Sequence, residues 1–161
     1  MPKILKLVLS IVICEAAGGI GAIFTTPQIS GWYQTLKKPG FTPPTWLFGP
    51  AWATLFLLMG IALYLVWSKG LEFKTIRPAI IIFIVQFALN ILWSALFFGL
   101  KQPLAGLIEI AVLWVAILLT IIYFWAVSRP AGILLLPYIL WVSFATALNA
   151  AIVFLNRPGA V

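Results

Sequence analysis

The chain has 161 residues, 64% of them apolar and 8% charged, with a formal net charge of +7 and a mean hydropathy of +1.17. Such a composition lies far outside the soluble range and points to one integral membrane domain. With no His, no Asp, one cysteine (Cys14) and only Glu15, Glu72 and Glu109 as carboxylates, the sequence excludes an internal disulfide, a credible metal cluster and histidine-based acid–base catalysis.

Five apolar segments are each long enough to span a bilayer, which takes roughly 20 residues. They are read as 4–24, 46–67, 78–99, 104–126 and 133–155, and as helices, because lipid requires backbone groups to be paired within the segment. The first begins MPKILKLVLSIVIC, so a signal peptide is weighed; the apolar run continues past Glu15 to Phe24, and Ile13 before Cys14 spoils a lipoprotein-type site. An uncleaved first span is the expectation. Glu15 lies near its middle, where an ionisable group is a functional candidate by default. The alternative is a neutral carboxyl bonded to a neighbouring helix. Around it Ala16, Ala17, Gly18, Gly19, Gly21 and Ala22 allow close helix approach.

Residues 25–45 are expected to form a long, ordered loop between the first two spans, since loops of that length are usually functional or disordered and this one is stiffened by proline. A turn is expected at Pro39-Gly40, and an extended approach to the next helix at Pro43-Pro44. Trp32, Tyr33, Phe41, Trp46, Phe48 and Trp52 crowd this connection. Two readings stay open: an aromatic belt at the membrane surface, or a lid over a pocket between helices.

On the second span Trp52, Phe56 and Met59 share one side; on the third, Gln86, Asn90 and Trp93 do so. The fourth carries Glu109 near its start, facing a vestibule or the headgroup layer. The fifth aligns Tyr138, Trp141, Ala145 and Asn149. Intramembrane amides either tie helices together, at ~0.6–2 kcal/mol each, or line a cavity. Three such stripes suggest a central pocket for a flat hydrophobic ligand. Ala95 and Gly99 form a small-residue pair suited to helix or subunit packing.

The turn Ser68–Arg77 carries Lys69, Glu72, Lys74 and Arg77 and reads as solvated and cytoplasmic. With the N-terminus inside, six basic residues (Lys3, Lys6, Lys69, Lys74, Arg77, Arg129) lie inside and four (Lys37, Lys38, Lys101, Arg157) outside, which favours that orientation. The cations suit anionic lipid headgroups or an anionic ligand, and no stripe suits nucleic acid. Internal repeats are lacking, which argues against an inverted-repeat transporter.

WYQTLKKPGFTPPTWLFGPAW (32–52), MGIALYLVW (59–67), QFALNILWSALFF (86–98) and PYILWVSFATALN (137–149) together resemble the TspO/MBR family of tryptophan-rich sensory and translocator proteins over essentially the whole chain. The resemblance implies an all-α, five-helix membrane bundle, commonly a homodimer, that binds tetrapyrroles such as protoporphyrin IX and other flat hydrophobic ligands. No permanently bound cofactor is implied. By the family's pattern the ligand-binding positions are Tyr33, Pro43, Trp52, Phe56, Asn90, Trp93, Trp141, Phe144, Ala145 and Leu148. Trp52 and Trp141 match the tryptophans associated with light-dependent porphyrin degradation, the one catalytic role implied; porphyrin transport is the alternative. Lys37 or Lys38 is expected to meet a propionate at the mouth. The family's sterol-recognition tyrosine is missing from residues 148–157, which argues against sterol binding. Without His a haem would have no imidazole ligand, so a metal-free porphyrin is the expected guest. The expected location is a prokaryotic cell membrane.

Overall fold

A computed structural model describes residues 2–70 and 74–157, so Glu72 of the second turn lies outside the described residues. Five helices are long and apolar enough to cross a membrane: Lys3–Ile29, Thr45–Trp67, Ile76–Gly99, Pro103–Val127 and Arg129–Leu155. No strand occurs among the described residues. In chain order the helices are α1 (Lys3–Ile29), α2 (Trp32–Thr35), α3 (Phe48–Trp67), α4 (Ile76–Ser94), α5 (Pro103–Val127), α6 (Arg129–Leu134) and α7 (Leu136–Leu155). A 3₁₀ turn at Thr45–Leu47 leads into α3, and a π-helical turn at Ala95–Gly99 extends α4.

The spans agree with the hydropathy reading to within two residues, except at the end of the first and the start of the fifth. Helix α1 runs five residues past 24, through Pro27. Proline there removes one N–H from the ladder and crowds the preceding turn, and the helix continues for only two residues beyond it. With α2 and the start of the 3₁₀ turn also inside 25–45, residues 30–31 and 36–44 are non-helical, so about half of the expected long loop is helical. Its two local features hold: the Thr42 N–H donates to Pro39 O across the turn, and Pro44 is extended at φ −56°, ψ 140°. The fifth span is broken at Leu135, because Pro137 has no N–H with which to continue the ladder.

The helices form a closed ring in which α1 packs on α3, α3 on α6, α6 and α7 on α5, α5 on α4, and α4 on α1. At the end where the chain starts, Lys6 Nζ lies 5.6 Å from the centre of the Trp67 ring, joining the start of α1 to the end of α3. This end is filled. Met59, Ala62 and Val66 of α3, Ala79 of α4, and Ile117 and Phe124 of α5 are all fully buried. Phe83 stacks between Phe87 and Phe124 at 5.5 Å from each. Gly60 lies where α1 and α3 come closest: a Cβ there would be 2.7 Å from the Ile11 Cα.

At the other end the irregular segment is strapped to the end of α7. The Lys37 N–H donates to Asn156 Oδ1 at 3.0 Å, and Asn156 Nδ2 returns a bond to Lys37 O at 2.9 Å. Side chains such as Ile4, Ile23, Ile81, Ile108, Val112 and Leu140 project outward from the bundle. In water that surface would be costly; in a bilayer it is the surface that lipid requires.

Candidate functional site

Between the filled end and the strapped segment the ring encloses a cavity of about 400 Å³. Its walls come from α1, α3, α4 with its π-helical turn, and α7, with Tyr33 of α2 near the mouth. Such a volume is typical of a small-molecule site.

Each wall follows from local sequence. On α1, Glu15, Gly18, Gly19 and Ala22 fall on one stripe at helical spacing, so this wall is mostly backbone. Gly18 is needed there because a Cβ would lie 2.6 Å from the Phe56 ring. On α3, Trp52 and Phe56 stack at 5.6 Å, one turn apart. On α7, Trp141 meets Trp52 edge-on at 6.5 Å and Phe48 at 6.2 Å. Trp93 of α4 stacks on Phe97 at 5.2 Å. Its indole N–H donates to Asn149 Oδ1 at 3.3 Å, while Asn149 Nδ2 donates to Pro103 O at 2.8 Å. This chain of bonds fixes the third tryptophan.

The π-helical turn matters here. The Leu100 N–H reaches back five residues to Ala95 O at 2.7 Å. Phe97 and Phe98, adjacent in sequence, are both buried, pack against each other at 4.8 Å and line the cavity. Such turns recur at functional sites because they re-aim side chains that a regular helix would separate.

Below the cavity lies a buried polar relay. Asn90 Nδ2 donates to the Tyr138 hydroxyl at 2.9 Å, and that hydroxyl donates to Gln86 Oε1 at 3.0 Å. Asn90 lines the cavity; Gln86 and Tyr138 lie beneath it. Gln86 Nε2 and both oxygens of Glu109 are buried without a hydrogen-bond partner in the structure. Glu109 is therefore inside the bundle, at 7% exposure, and not in a vestibule or the headgroup layer. Tyr33 is 3% exposed, and burial pushes its phenol above the ordinary range, so it stays a neutral donor.

Of the residues singled out in the sequence, Tyr33, Trp52, Phe56, Asn90, Trp93, Trp141, Ala145 and Leu148 are brought together around this cavity. Pro43 and Phe144 are not on its wall; Phe144 instead packs between Trp141 and Phe41. Met59, on the same stripe as Trp52 and Phe56, belongs to the filled end. Lys38 turns its ammonium onto the carbonyls of Tyr33 (2.7 Å) and Leu36 (3.0 Å), closing off α2. Lys37 is held by its backbone to Asn156. Neither lysine lines the cavity. Gly99 meets Phe24, so the small residue there serves packing of α1 on α4. Of the remaining wall residues, Phe48 belongs to the aromatic cluster of the first connection, and Glu15, Gly18, Gly19 and Ala22 to the small-residue run of the first span; Phe97 and Phe98 had not been read as site residues.

Comparison with known proteins agrees with this architecture. The TspO/MBR family profile matches residues 10–155. The chain is 50% identical over 154 residues to the tryptophan-rich protein TspO of Archaeoglobus fulgidus, covering 96% of this chain and 99% of the relative. It is 33% identical over 149 residues to the tryptophan-rich sensory protein of Cereibacter sphaeroides, covering 91% and 90%. With the translocator protein of Homo sapiens it shares 36% identity over 132 residues, covering 81% and 78%.

Proposed function

This chain belongs to the TspO/MBR family, and from that premise we propose that it is a membrane receptor for flat hydrophobic ligands, tetrapyrroles such as protoporphyrin IX foremost. The observation that carries the reading is the cavity itself, with Trp52, Trp93 and Trp141 on its wall and their rings held by neighbouring aromatics or hydrogen bonds. The names of the relatives, sensory protein and translocator protein, support a role in sensing or handling a small molecule.

In this reading the macrocycle enters from the strapped end and its apolar faces stack on the tryptophans. Stacking of this kind contributes about 1–3 kcal/mol per ring for a nucleobase, a smaller partner than a porphyrin. The propionate edge stays at the mouth, because no Lys or Arg lines the wall to receive it deeper. The walls are preformed, so little side-chain ordering opposes binding.

Light-dependent degradation of the bound porphyrin is the finer reading. It is favoured by the contact between Trp52 and Trp141, two oxidisable rings 6.5 Å apart beside the guest. Light and oxygen supply the driving force there, and the protein holds the pigment against the indoles.

The test is a titration of protoporphyrin IX in the dark against purified protein in detergent. Wild type is compared with Trp52→Phe and Trp141→Phe, and the same samples are then illuminated. The receptor reading expects saturable one-site binding weakened in both variants; linear, variant-independent quenching would mean partition into micelles. Pigment loss that needs wild-type protein and light supports degradation, and loss indifferent to both indoles removes it. Uptake into sealed vesicles that exceeds the binding capacity would favour transport instead.

A further inference from the structure

We infer that Glu15 gives the floor of the cavity a preference for a protonated amine over a neutral group of the same shape at a flat ligand's buried end, a ligand class beyond the tetrapyrroles. This rests on the same cavity being the ligand site. Among the described residues on its wall Glu15 is the one charged side chain; the ten Lys and Arg residues of the chain contribute nothing to the lining. Glu15 is half-buried, and an unpaired carboxyl on a membrane span requires a reason. The alternative raised by the sequence, a carboxyl bonded to a neighbouring helix, is not what the structure shows. Glu15 makes no hydrogen bond or ion pair with another described residue.

Its surroundings define the missing partner. Helices α1 and α4 run from the filled end towards the mouth, and Glu15 and Asn90 are the first residue of each to reach the cavity. Phe56 is the last on α3, which runs the other way, and Trp141 the first on α7. These four make the floor. Asn90 commits a donor to Tyr138, whose own proton goes to Gln86, so the relay has one direction and leaves Asn90 Oδ1 as an acceptor. The floor thus offers two kinds of oxygen acceptor with indole and phenyl faces beside them. Aromatic faces attract cations, and a carboxylate–ammonium hydrogen bond is among the strong ones. An anionic end gains nothing there, and a neutral amide gains less. Gly18 and Gly19, one turn on from Glu15, share its wall and add no side chain to it.

The experiment compares two fluorescent probes of one flat shape, 1-pyrenemethylamine and its neutral N-acetyl derivative. Both are titrated at neutral pH against the full chain in detergent, with empty micelles subtracted. Wild type is expected to prefer the amine by roughly tenfold, the scale of one hydrogen bond to a charged group. Glu15→Gln is expected to bring the two probes within about twofold, chiefly by weakening the amine, while the acetylated probe still binds saturably, which shows that the cavity is intact. Equal affinity of wild type for both probes overturns the inference outright, as does a preference that survives Glu15→Gln. Should the Gln variant not fold, Glu15→Met, similar in volume and without acceptors, answers the same question. Protoporphyrin IX is titrated on the same samples. Failure of the porphyrin to bind wild type counts against the receptor reading, whereas an unchanged probe ratio counts against the role of Glu15 alone.

Discussion

Gly60 and Gly18 both lie on the contact between α1 and α3, and each would collide with a neighbour if it carried a Cβ. The neighbours differ. At Gly60, in the filled end, the obstacles are the backbone of Ile11 at 2.7 and 3.1 Å and the carbonyl of Ser10 at 3.1 Å. At Gly18, in the cavity end, the obstacle is the Phe56 ring, which can rotate or shift towards the empty space beside it. One residue further, Gly19 has nothing within 4 Å. Small residues thus do two jobs at one helix contact, Gly60 from the α3 side and Gly18 and Gly19 from the α1 side. In the filled end Gly60 lets the backbones of α3 and α1 touch, and past Glu15 the glycines of α1 keep a wall thin so that a guest can occupy the room. The first job concerns stability and the second concerns binding, and substitutions should separate them.

The largest effect is expected at Gly60→Ala. Because backbone has to move, the loss should be about 3 kcal/mol, the upper part of the range for overpacking. Thermal unfolding in detergent reads it, and an unchanged midpoint would break the comparison at its strongest point. Trp141→Ala comes next, with about 1–2 kcal/mol lost from protoporphyrin binding, roughly tenfold in affinity. Its unfolding midpoint should move less than that of Gly60→Ala, since Trp141 is only half-buried against the cavity. Gly18→Ala should follow, pushing Phe56 into the guest's space: affinity falls by roughly threefold, under 1 kcal/mol. Unfolding stays near wild type. The smallest change belongs to Gly19→Ala, with no steric obstacle and a better helix former in place, so stability should be unchanged or higher by up to about 1 kcal/mol. A large defect at Gly19 would mean that another surface covers this stripe.

Much of this division was legible in the residues. Hydropathy gave the five spans, and spacings of three and four put Trp52 with Phe56, Asn90 with Trp93, and Trp141 with Ala145 on common faces. Periodicity assigns a face and not a depth, which is why Met59, in line with Trp52 and Phe56, turned out to belong to the packed core. Nor does charge say what a lysine is for. Lys38 was matched to a ligand's carboxylate, and its ammonium instead satisfies carbonyls left open at the end of α2. Proline usually stops a helix, and Pro27 does so only after two further residues, so α1 ends at Ile29 and not before the proline. The π-helical turn had no sequence signal at all, and with it went Phe97 and Phe98, whose shared inward position depends on that turn.

The central claim is that one end of the bundle binds and the other end holds. Hydrogen exchange followed by mass spectrometry, with and without protoporphyrin IX in the dark, tests it most directly. The account expects added protection in the segments that surround the cavity, 15–33, 48–56, 90–98 and 141–152, and no change in 59–66, 76–83 and 117–124. Protection spread evenly over both ends, or confined to the filled end, would contradict it.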